Sequence, residues 1–392
     1  MTESNMPDGI PLVMAVSAPL KLIAKDGRDS WKPSLQDINR STYDYLKLNR
    51  ASGFIDGNVA PYMMLVGFDG SLAMPALPEF SNPDAALKMF NRVFLEMLLG
   101  GVYTEGALPA DICTGWLFNT GYIRMHGGTS RTTSLHFSLR DRSASVSDNI
   151  VLLDQKPITL AKLQKAIARG RAILDKCDPI SPEIALAGTT HYVAGALAEA
   201  LTCIWTSIEQ IISRIWRVEV ESKASVDAIP NRSGFLKDYR VWTTSARIEL
   251  LFQKGVVEAG TYKLLNVARK ARNEFIHRGS QPDLPDATAA LTGMFQLLSS
   301  CSSDYKNTLL LDETCRQVIA RCIRRPRTEE KLEPSYWRDI ARLPGEPQFK
   351  GKYKPFDLQL KPISTFDPAY AAKAARAKSD ANQAEQTEAG SN

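Results

Sequence analysis

The sequence has few groups of the kind that bind metals. Its six cysteines, at positions 113, 177, 203, 301, 315 and 322, include no CxxC pair, and no histidine lies at ligand spacing from them. Zinc and iron–sulfur centres use such clusters, whereas isolated cysteines on apolar helix faces are typical of reduced core thiols. The pattern therefore predicts a protein without a metal or another cofactor.

Long hydrophobic runs are also missing. The longest uncharged run with a helical pattern, 184–198, has 15 residues and contains His191. A membrane-spanning helix needs about 20 predominantly apolar residues. Glu3 and Asp8 precede the first apolar stretch without any basic residue, unlike a signal peptide. We therefore expect a cytoplasmic protein that does not bind a membrane.

Positive charge is concentrated near the C-terminus. The formal net charge is +5, and residues 316–354 hold eleven Lys or Arg against five Asp or Glu. Tyr336, Trp337 and Tyr353 lie among these charges, a combination that suits an anionic polymer. A solvated basic extension over 311–360 explains the same composition without a ligand. The tail at 361–392 is predicted to be disordered, because its composition cannot build a core.

The first part of the chain predicts a mixed α+β domain over residues 1–155. Its predicted helices lie at 33–48 and 83–99. Its predicted strands lie at 12–16, 62–68, 116–124, 134–139 and 150–153. Gly127-Gly128 predicts a hairpin turn. Scattered polar residues here are interpreted as structural or surface groups, namely His126, His136, Asp141 and Asp148.

Residues 156–310 predict an all-α antiparallel bundle. A first helix is predicted over 159–175. The clearest helix has apolar residues in 4-3 spacing, at Leu197, Leu201, Ile204, Ile208, Ile211, Ile215 and Val218. Such a face is broad enough to pack against two neighbours. Three further helices are predicted near 236–250, 257–275 and 287–301, with short links that favour antiparallel packing.

One stretch near the end of the helix at 257–275 combines groups for phosphodiester chemistry. It reads Arg272-Asn273-Glu274-Phe275-Ile276-His277, followed by Arg278-Gly279. A guanidinium can neutralise phosphate charge, and an imidazole can transfer a proton near neutral pH. On a helix, positions 272 and 277 lie about 140° apart, whereas 273 and 277 are nearly aligned. The spacing therefore places Asn273 and His277 together, with Arg272 to one side.

The same Arg-to-His offset occurs once more, at Arg131 and His136. That segment is rich in Gly, Ser and Thr and alternates in polarity, which predicts a hairpin. Residues five apart on a strand point to opposite faces. We therefore expect the pair at 131 and 136 to carry no site.

The Arg-Asn-x-x-x-His stretch before a glycine resembles the motif of HEPN domains, particularly the Apea-like group, over residues 190–302 only. Many HEPN proteins are RNA-cutting enzymes of microbial defence and toxin–antitoxin systems. The resemblance implies a HEPN-like four-helix bundle and a homodimer whose two motifs face each other in one cleft. It also implies an acidic residue on the first long helix, for which Glu209 is the candidate. Gly279 stands where some HEPN toxins carry a regulatory tyrosine, so control by that route is not expected.

The resemblance further implies a metal-independent endoribonuclease acting on RNA. His277 would be general acid or base, a role typically worth about 10²–10⁴ in rate. Arg272 would stabilise charge on the phosphorane, and Asn273 would orient His277 or a phosphate oxygen. The implied substrate-binding residues are Arg269, Lys270 and Arg278. Attack by the 2′-OH of the RNA leaves a 2′,3′-cyclic phosphate, and DNA would bind without being cut.

Two other functions remain open on the sequence. A HEPN bundle can be a non-catalytic sensing or oligomerising module that binds RNA or a protein. The helix dipole alone favours cations in the last turn of a helix, so the Arg and His residues there do not require catalysis. The basic strip at 316–354 would suit a DNA-binding regulator, although no helix-turn-helix signal accompanies it. In the ribonuclease interpretation, the domain at 1–155 is a sensor, inhibitor or specificity module. An inhibitory or sensor partner protein is a further expectation.

Overall fold

In a computed structural model of the chain, the described residues are 9–29, 31–80, 82–153, 155–224, 229–302 and 304–323. They belong to one compact unit that spans residues 1–327. From residue 324 onwards, the predicted basic extension and the predicted tail at 361–392 lie outside the described residues. None of the helices in the described ranges is long and apolar enough to cross a bilayer.

An antiparallel sheet forms one layer of the unit. The strands are β1 (Gly9–Ala15), β2 (Ile23–Ala24), β3 (Ala51–Val59), β4 (Tyr62–Gly67), β5 (Leu72–Pro75), β6 (Ile112–Phe118), β7 (Ile123–Met125) and β8 (Ile158–Thr159). Six of them pair in the order β3-β4-β5-β1-β6-β7, and β2 pairs in parallel with β8. Side chains on β1 alternate between two cores: Val13 and Ala15 face the main core, whereas Leu12 and Met14 face a smaller cluster.

Helices flank and follow the sheet. They are α1 (Leu35–Arg40), α2 (Tyr45–Leu48), α3 (Pro83–Leu99), α4 (Arg131–Arg140), α5 (Val146–Asn149), α6 (Leu160–Lys176), α7 (Pro182–Val193), α8 (Leu197–Trp216), α9 (Ser222–Ala224), α10 (Arg232–Lys237), α11 (Thr244–Gln253), α12 (Ala259–Arg278), α13 (Leu284–Ser302) and α14 (Tyr305–Arg321). Helix α8 packs on α7, α11, α12 and α13, and α13 also packs on α6 and α14. The centre of α8 is fully buried at Leu201, Ile204, Ile208 and Ile211. The helical layer is therefore built around α8 and α13.

Two glycines bring the backbones of α3 and α6 into direct contact. A Cβ at Gly100 would lie 1.9 Å from the carbonyl oxygen of Ala166. A Cβ at Gly170 would lie 1.8 Å from the carbonyl oxygen of Glu96. The buried carboxylate of Glu96 accepts a hydrogen bond from Arg171 Nη2 at 3.1 Å. Only glycine permits this approach, so α3 and α6 are tightly joined.

The structure confirms an α+β N-terminal region followed by helices. The predicted strands at 12–16 and 62–68 correspond to β1 and β4, and the predicted helix at 83–99 is α3. The helices predicted at 159–175, 257–275 and 287–301 and the one with the 4-3 apolar spacing correspond to α6, α12, α13 and α8, whereas the helix predicted near 236–250 is divided into the end of α10 and most of α11. A single hydrophobic core nevertheless extends from β1 to α14. The predicted boundary between residues 155 and 156 therefore lies inside one compact unit.

The segment around Arg131 and His136 corrects the prediction of a hairpin. Residues 134–139 belong to helix α4, and Gly127-Gly128 leads into that helix. Ser130 caps α4 by accepting a hydrogen bond from the backbone N–H of Thr133. The buried residues of α4 are Thr133, His136, Leu139 and Arg140, which is helical spacing carried mostly by polar side chains. The hairpin in this region lies earlier, between β6 and β7.

Other differences have local causes. The helix predicted at 33–48 is divided into α1 and α2, because Ser41 adopts a left-handed conformation and Asp44 caps a new helix. The strand predicted at 150–153 is a 3-10 turn. Strands β3 and β5 and helices α7 and α14 were not predicted as separate elements. The first residues of the predicted extension, 311–321, belong to α14.

Candidate functional site

Helix α12 carries the predicted motif and packs through one face only. Its buried residues Thr261, Leu265, Ala268 and Ala271 face the rest of the helical layer. Thr261 Oγ1 donates a hydrogen bond to Gln296 Oε1 of α13 at 2.9 Å. The packed face therefore fixes α12 on α13 and leaves its opposite side in solvent.

Both ends of α12 are held in place. Near its start, the Tyr262 ring stacks on Phe252 of α11 with centroids 4.4 Å apart, and its hydroxyl donates to Glu249 Oε2 at 2.5 Å. At its end, Gly279 adopts a left-handed conformation with φ 70°, and its N–H donates to backbone carbonyl oxygens of the last turn. The motif thus lies on a well-defined final turn of a helix.

The solvent-facing side of α12 forms an open groove of about 440 Å³. Its lining residues are Asn266, Arg269, Lys270, Asn273, Glu274, His277 and Arg278. These positions recur at three- and four-residue spacing, so their side chains occupy one strip of the helix. The groove therefore brings together five of the six predicted site residues.

The sixth predicted residue, Arg272, lies beside this strip. Its side chain is half-buried, and its Nη1 donates a hydrogen bond to Asn273 Oδ1 at 3.3 Å. This agrees with the helical angle that separates positions 272 and 277. Arg272 is therefore linked to the groove through Asn273, while His277 lies exposed within it.

Positive charge dominates the groove. Arg269, Lys270 and Arg278 supply three cations, and Glu274 supplies one carboxylate. None of these four side chains has an ion-pair partner within 4 Å among the described residues. Arg269 Nε is also enclosed without a hydrogen-bond partner there. Cations whose charge is not neutralised by a neighbour can attract a phosphate backbone.

Two groove residues were not predicted as part of the site, Asn266 and Glu274. Both lie four residues from Lys270, and Glu274 lies four residues from Arg278. This helical spacing would have found them from the sequence. Glu274 matters most, because its carboxylate opposes phosphate binding in a groove that is otherwise cationic.

Glu209, the acidic candidate on the first long helix, has a local partner. Its Oε1 accepts a hydrogen bond from the indole Nε1 of Trp205 at 2.7 Å, one turn earlier on α8. Trp205 is buried, so this bond satisfies an indole N–H that has little access to water. The contact gives Glu209 a structural role.

The second Arg-to-His pair is placed very differently. His136 is 2% exposed, and its Nδ1 lies 2.7 Å from Asp69 Oδ2. Arg140 Nη2 donates to Asp69 Oδ1 at 2.6 Å. Burial alone would raise the pKa of Asp69, but the charge of Arg140 and the hydrogen bond from His136 outweigh it and hold this pKa far below its usual range. His136 belongs to a buried hydrogen-bond network around the Asp69–Arg140 ion pair, whereas Arg131 is exposed at the start of α4.

Comparison with known proteins assigns no family to the chain, because no family model, curated protein or solved structure matches it. In the part of the chain that the structure describes, no three His, Cys, Asp or Glu side chains are grouped to hold a metal ion. The groove on α12 is the place where five of the six residues predicted for a site lie together.

Proposed function

We propose that the protein is a metal-independent endoribonuclease of HEPN type, which acts as a homodimer. The observation that supports this proposal is the groove on α12, where Asn273 and His277 lie among three cations. Arg272 joins them through its hydrogen bond to Asn273. A proton-transferring group and phosphate-binding charges are thus combined at one end of α12. The opposite, packed face of the helix holds them in place.

The number of proton-transferring groups that the reaction needs favours a site built from two copies of the chain. Cleavage by an internal 2′-OH needs a base for the attacking hydroxyl and an acid for the leaving 5′-oxygen. Of the four histidines, all of which the structure describes, only His277 lines the groove. A second copy of α12 would supply the second imidazole. Val267 and Ile276, 44% and 49% exposed, flank the polar strip and offer apolar surface to that copy.

In this mechanism each group has one task. His277 accepts the proton of the 2′-OH while that oxygen attacks phosphorus, and His277 of the partner subunit protonates the leaving 5′-oxygen. Arg272 stabilises the added negative charge of the phosphorane, which is largest in the transition state. Asn273, bonded to Arg272, orients a phosphate oxygen or His277. Arg269, Lys270 and Arg278 hold the flanking phosphates.

The biological setting proposed is microbial defence or a toxin–antitoxin system in the cytoplasm, with a partner protein that restrains or triggers the enzyme. This part of the proposal follows from the resemblance of the motif to HEPN domains. A ribonuclease whose groove is open to solvent needs such restraint, because phosphate binding is not sequence-specific.

The decisive experiment is RNA cleavage by the full chain in EDTA. We expect cleavage that leaves 2′,3′-cyclic phosphate ends and fails on RNA with methylated 2′-oxygens. His277→Ala and Arg272→Ala should each abolish it, with the free energy of unfolding within about 1 kcal/mol of the parent protein. Mixing the two inactive variants should not restore activity, because a mixed dimer carries only one of the two imidazoles that the mechanism needs.

Matched controls lie outside the groove. Lys263→Ala removes an exposed cation from the same helix, and His126→Ala and Arg131→Ala remove an exposed histidine and arginine elsewhere. All three should cleave normally. Cleavage that stops with EDTA, returns with magnesium and leaves 5′-phosphate ends would contradict the histidine mechanism.

A non-catalytic RNA- or protein-binding module is the second candidate. Two observations favour it: no described side chain hydrogen-bonds to His277, and Glu274 places a carboxylate in the groove. RNA binding that depends on Arg269 and Lys270, without any cleavage, would support this alternative.

A further inference from the structure

Cys177 and Cys301 meet at the far ends of two helices. Cys177 follows the last residue of α6 and is fully buried, whereas Cys301 lies in the last turn of α13 and is partly exposed. The two thiols lie close enough that each changes the pKa of the other. Lys176 Nζ also donates to the carbonyl of Ser302 at 2.7 Å, which ties the two helix ends together. The ends of α6 and α13 that carry Cys177 and Cys301 are therefore held side by side.

Cys301 is reached from solvent through a cavity of about 280 Å³. Lys176 and Arg214 line this cavity as cations, and Glu219 lines it as the one carboxylate. Arg214 Nε donates to the carbonyl of Lys176 at 3.4 Å, so its guanidinium is fixed at the cavity wall. A small polar oxidant can thus approach one thiol of the pair, while the other thiol stays behind it.

The surroundings favour a thiolate on Cys301. The hydrogen bond from Cys177 lowers the pKa of the Cys301 thiol, burial opposes this, and the charge of Arg214 lowers it further. At Cys177 the same hydrogen bond and burial raise the pKa. Cys203 is also partly exposed, but burial and the nearby Glu199 raise its pKa. The two partly exposed thiols therefore differ in the sign of their neighbouring charge.

We propose that Cys177 and Cys301 form a peroxide-reactive thiol pair, in which Cys301 is oxidised first and Cys177 then closes a disulfide. The Cys301 thiolate attacks the distal oxygen of a hydroperoxide, the O–O bond breaks, and the leaving alkoxide or hydroxide takes up a proton. Cys301 becomes a sulfenic acid, two electrons more oxidised. The sulfur of Cys177 then attacks that sulfur, the S–O bond breaks, and the departing hydroxide leaves as water with the Cys177 proton.

The disulfide would join α6 to α13. Helix α6 is fixed to α3 by backbone contact, and α13 supports α12. The closed loop contains more than a hundred residues, and cross-links over long loops restrict the unfolded chain most. Oxidation is therefore expected to stabilise the compact unit and to restrain movement between the two halves of its core.

The test is oxidation of the full chain with hydrogen peroxide, followed by mass spectrometry without reduction. We expect a loss of two hydrogens, a peptide that links Cys177 to Cys301, and a melting temperature raised by about 4–8 °C that dithiothreitol reverses. In Cys177→Ser, a dimedone adduct should accumulate on Cys301. Arg214→Gln should slow the oxidation several-fold.

Cys203→Ser is the matched control and should still form the cross-link. Cys301→Ala and Cys301→Ser should both prevent the cross-link. Two variants are used so that the result does not depend on a single variant that fails to fold. Equal dimedone labelling of Cys203 and Cys301 would overturn the proposal. A disulfide-linked peptide that contains neither Cys177 nor Cys301 would overturn it too. So would a folded parent protein that stays reduced in peroxide while an exposed model thiol is consumed.

Discussion

Replacement of the buried Lys21 should change how the stability of the protein depends on pH. Lys21 is 9% exposed, and its ammonium donates hydrogen bonds to Pro19 O at 2.8 Å, Thr104 Oγ1 at 3.2 Å and Ser17 Oγ at 3.4 Å. All three acceptors are neutral. The charge is therefore enclosed by hydrogen bonds without a carboxylate in contact.

Burial lowers the pKa of Lys21 from 10.5 to about 7, although Glu105 acts in the opposite direction and Arg321 adds to the lowering. Between these two values the unfolded chain binds a proton that the folded chain has released. The free energy of unfolding therefore rises with pH in this window, and the contribution does not change at pH values well below 7. From pH 6 to pH 8.5 the gain amounts to about 2 kcal/mol.

Urea unfolding of the parent protein and of Lys21→Met at pH 6, 7 and 8.5 measures this gain. The difference in the free energy of unfolding, parent minus variant, should increase by about 2 kcal/mol from the lowest to the highest pH. Lys25→Met, which removes an exposed lysine of the same segment, should show no such trend. A difference that stays constant or falls with pH would refute the assignment of a neutral amine at Lys21.

Two further predictions concern packing and the groove. Gly170→Ala should lower the free energy of unfolding by about 1–3 kcal/mol, because the new Cβ would overlap the Glu96 carbonyl. Gly260→Ala is the control, since open space surrounds Gly260, and it should raise the free energy of unfolding slightly. Urea titration measures both changes. Glu274→Gln should tighten RNA binding roughly two- to fivefold at low salt, an effect that added salt removes. Fluorescence anisotropy measures this change in binding. Glu258→Gln, at the exposed residue that precedes the same helix, is the control, and weaker binding by Glu274→Gln would contradict a phosphate-binding groove.

The elements that the sequence predicted well are those whose core is apolar. The stripe of α8 is one example, since Leu201 and Ile204 are both fully buried. Helix α4 was mistaken for a strand because its buried face carries His136 and Arg140, which apolar periodicity does not detect. Its cap at Ser130 was the available signal. Strand β3 was missed because Gly53 and Gly57 interrupt its alternation.

The candidate site followed a similar rule. Helical angles predicted that Asn273 and His277 would share a strip, with Arg272 beside them, because these relations depend only on the geometry of one helix. The position of Glu209 beside Trp205 depends on which face of α8 turns inward. Whether a second copy completes the groove is a property of two chains, which one sequence does not specify.

The continuous core also affects how a chain like this can diverge over generations. A gene fusion or exchange at residue 155 would separate α3 from α6 and leave apolar faces uncovered on both products. The segments before and after residue 155 are therefore expected to be inherited together and not exchanged as independent domains. Helix α12 touches the core along one face only, so its outer positions can be replaced without repacking. New specificities would arise most readily on that outer strip, while α3 and α6 stay almost invariant.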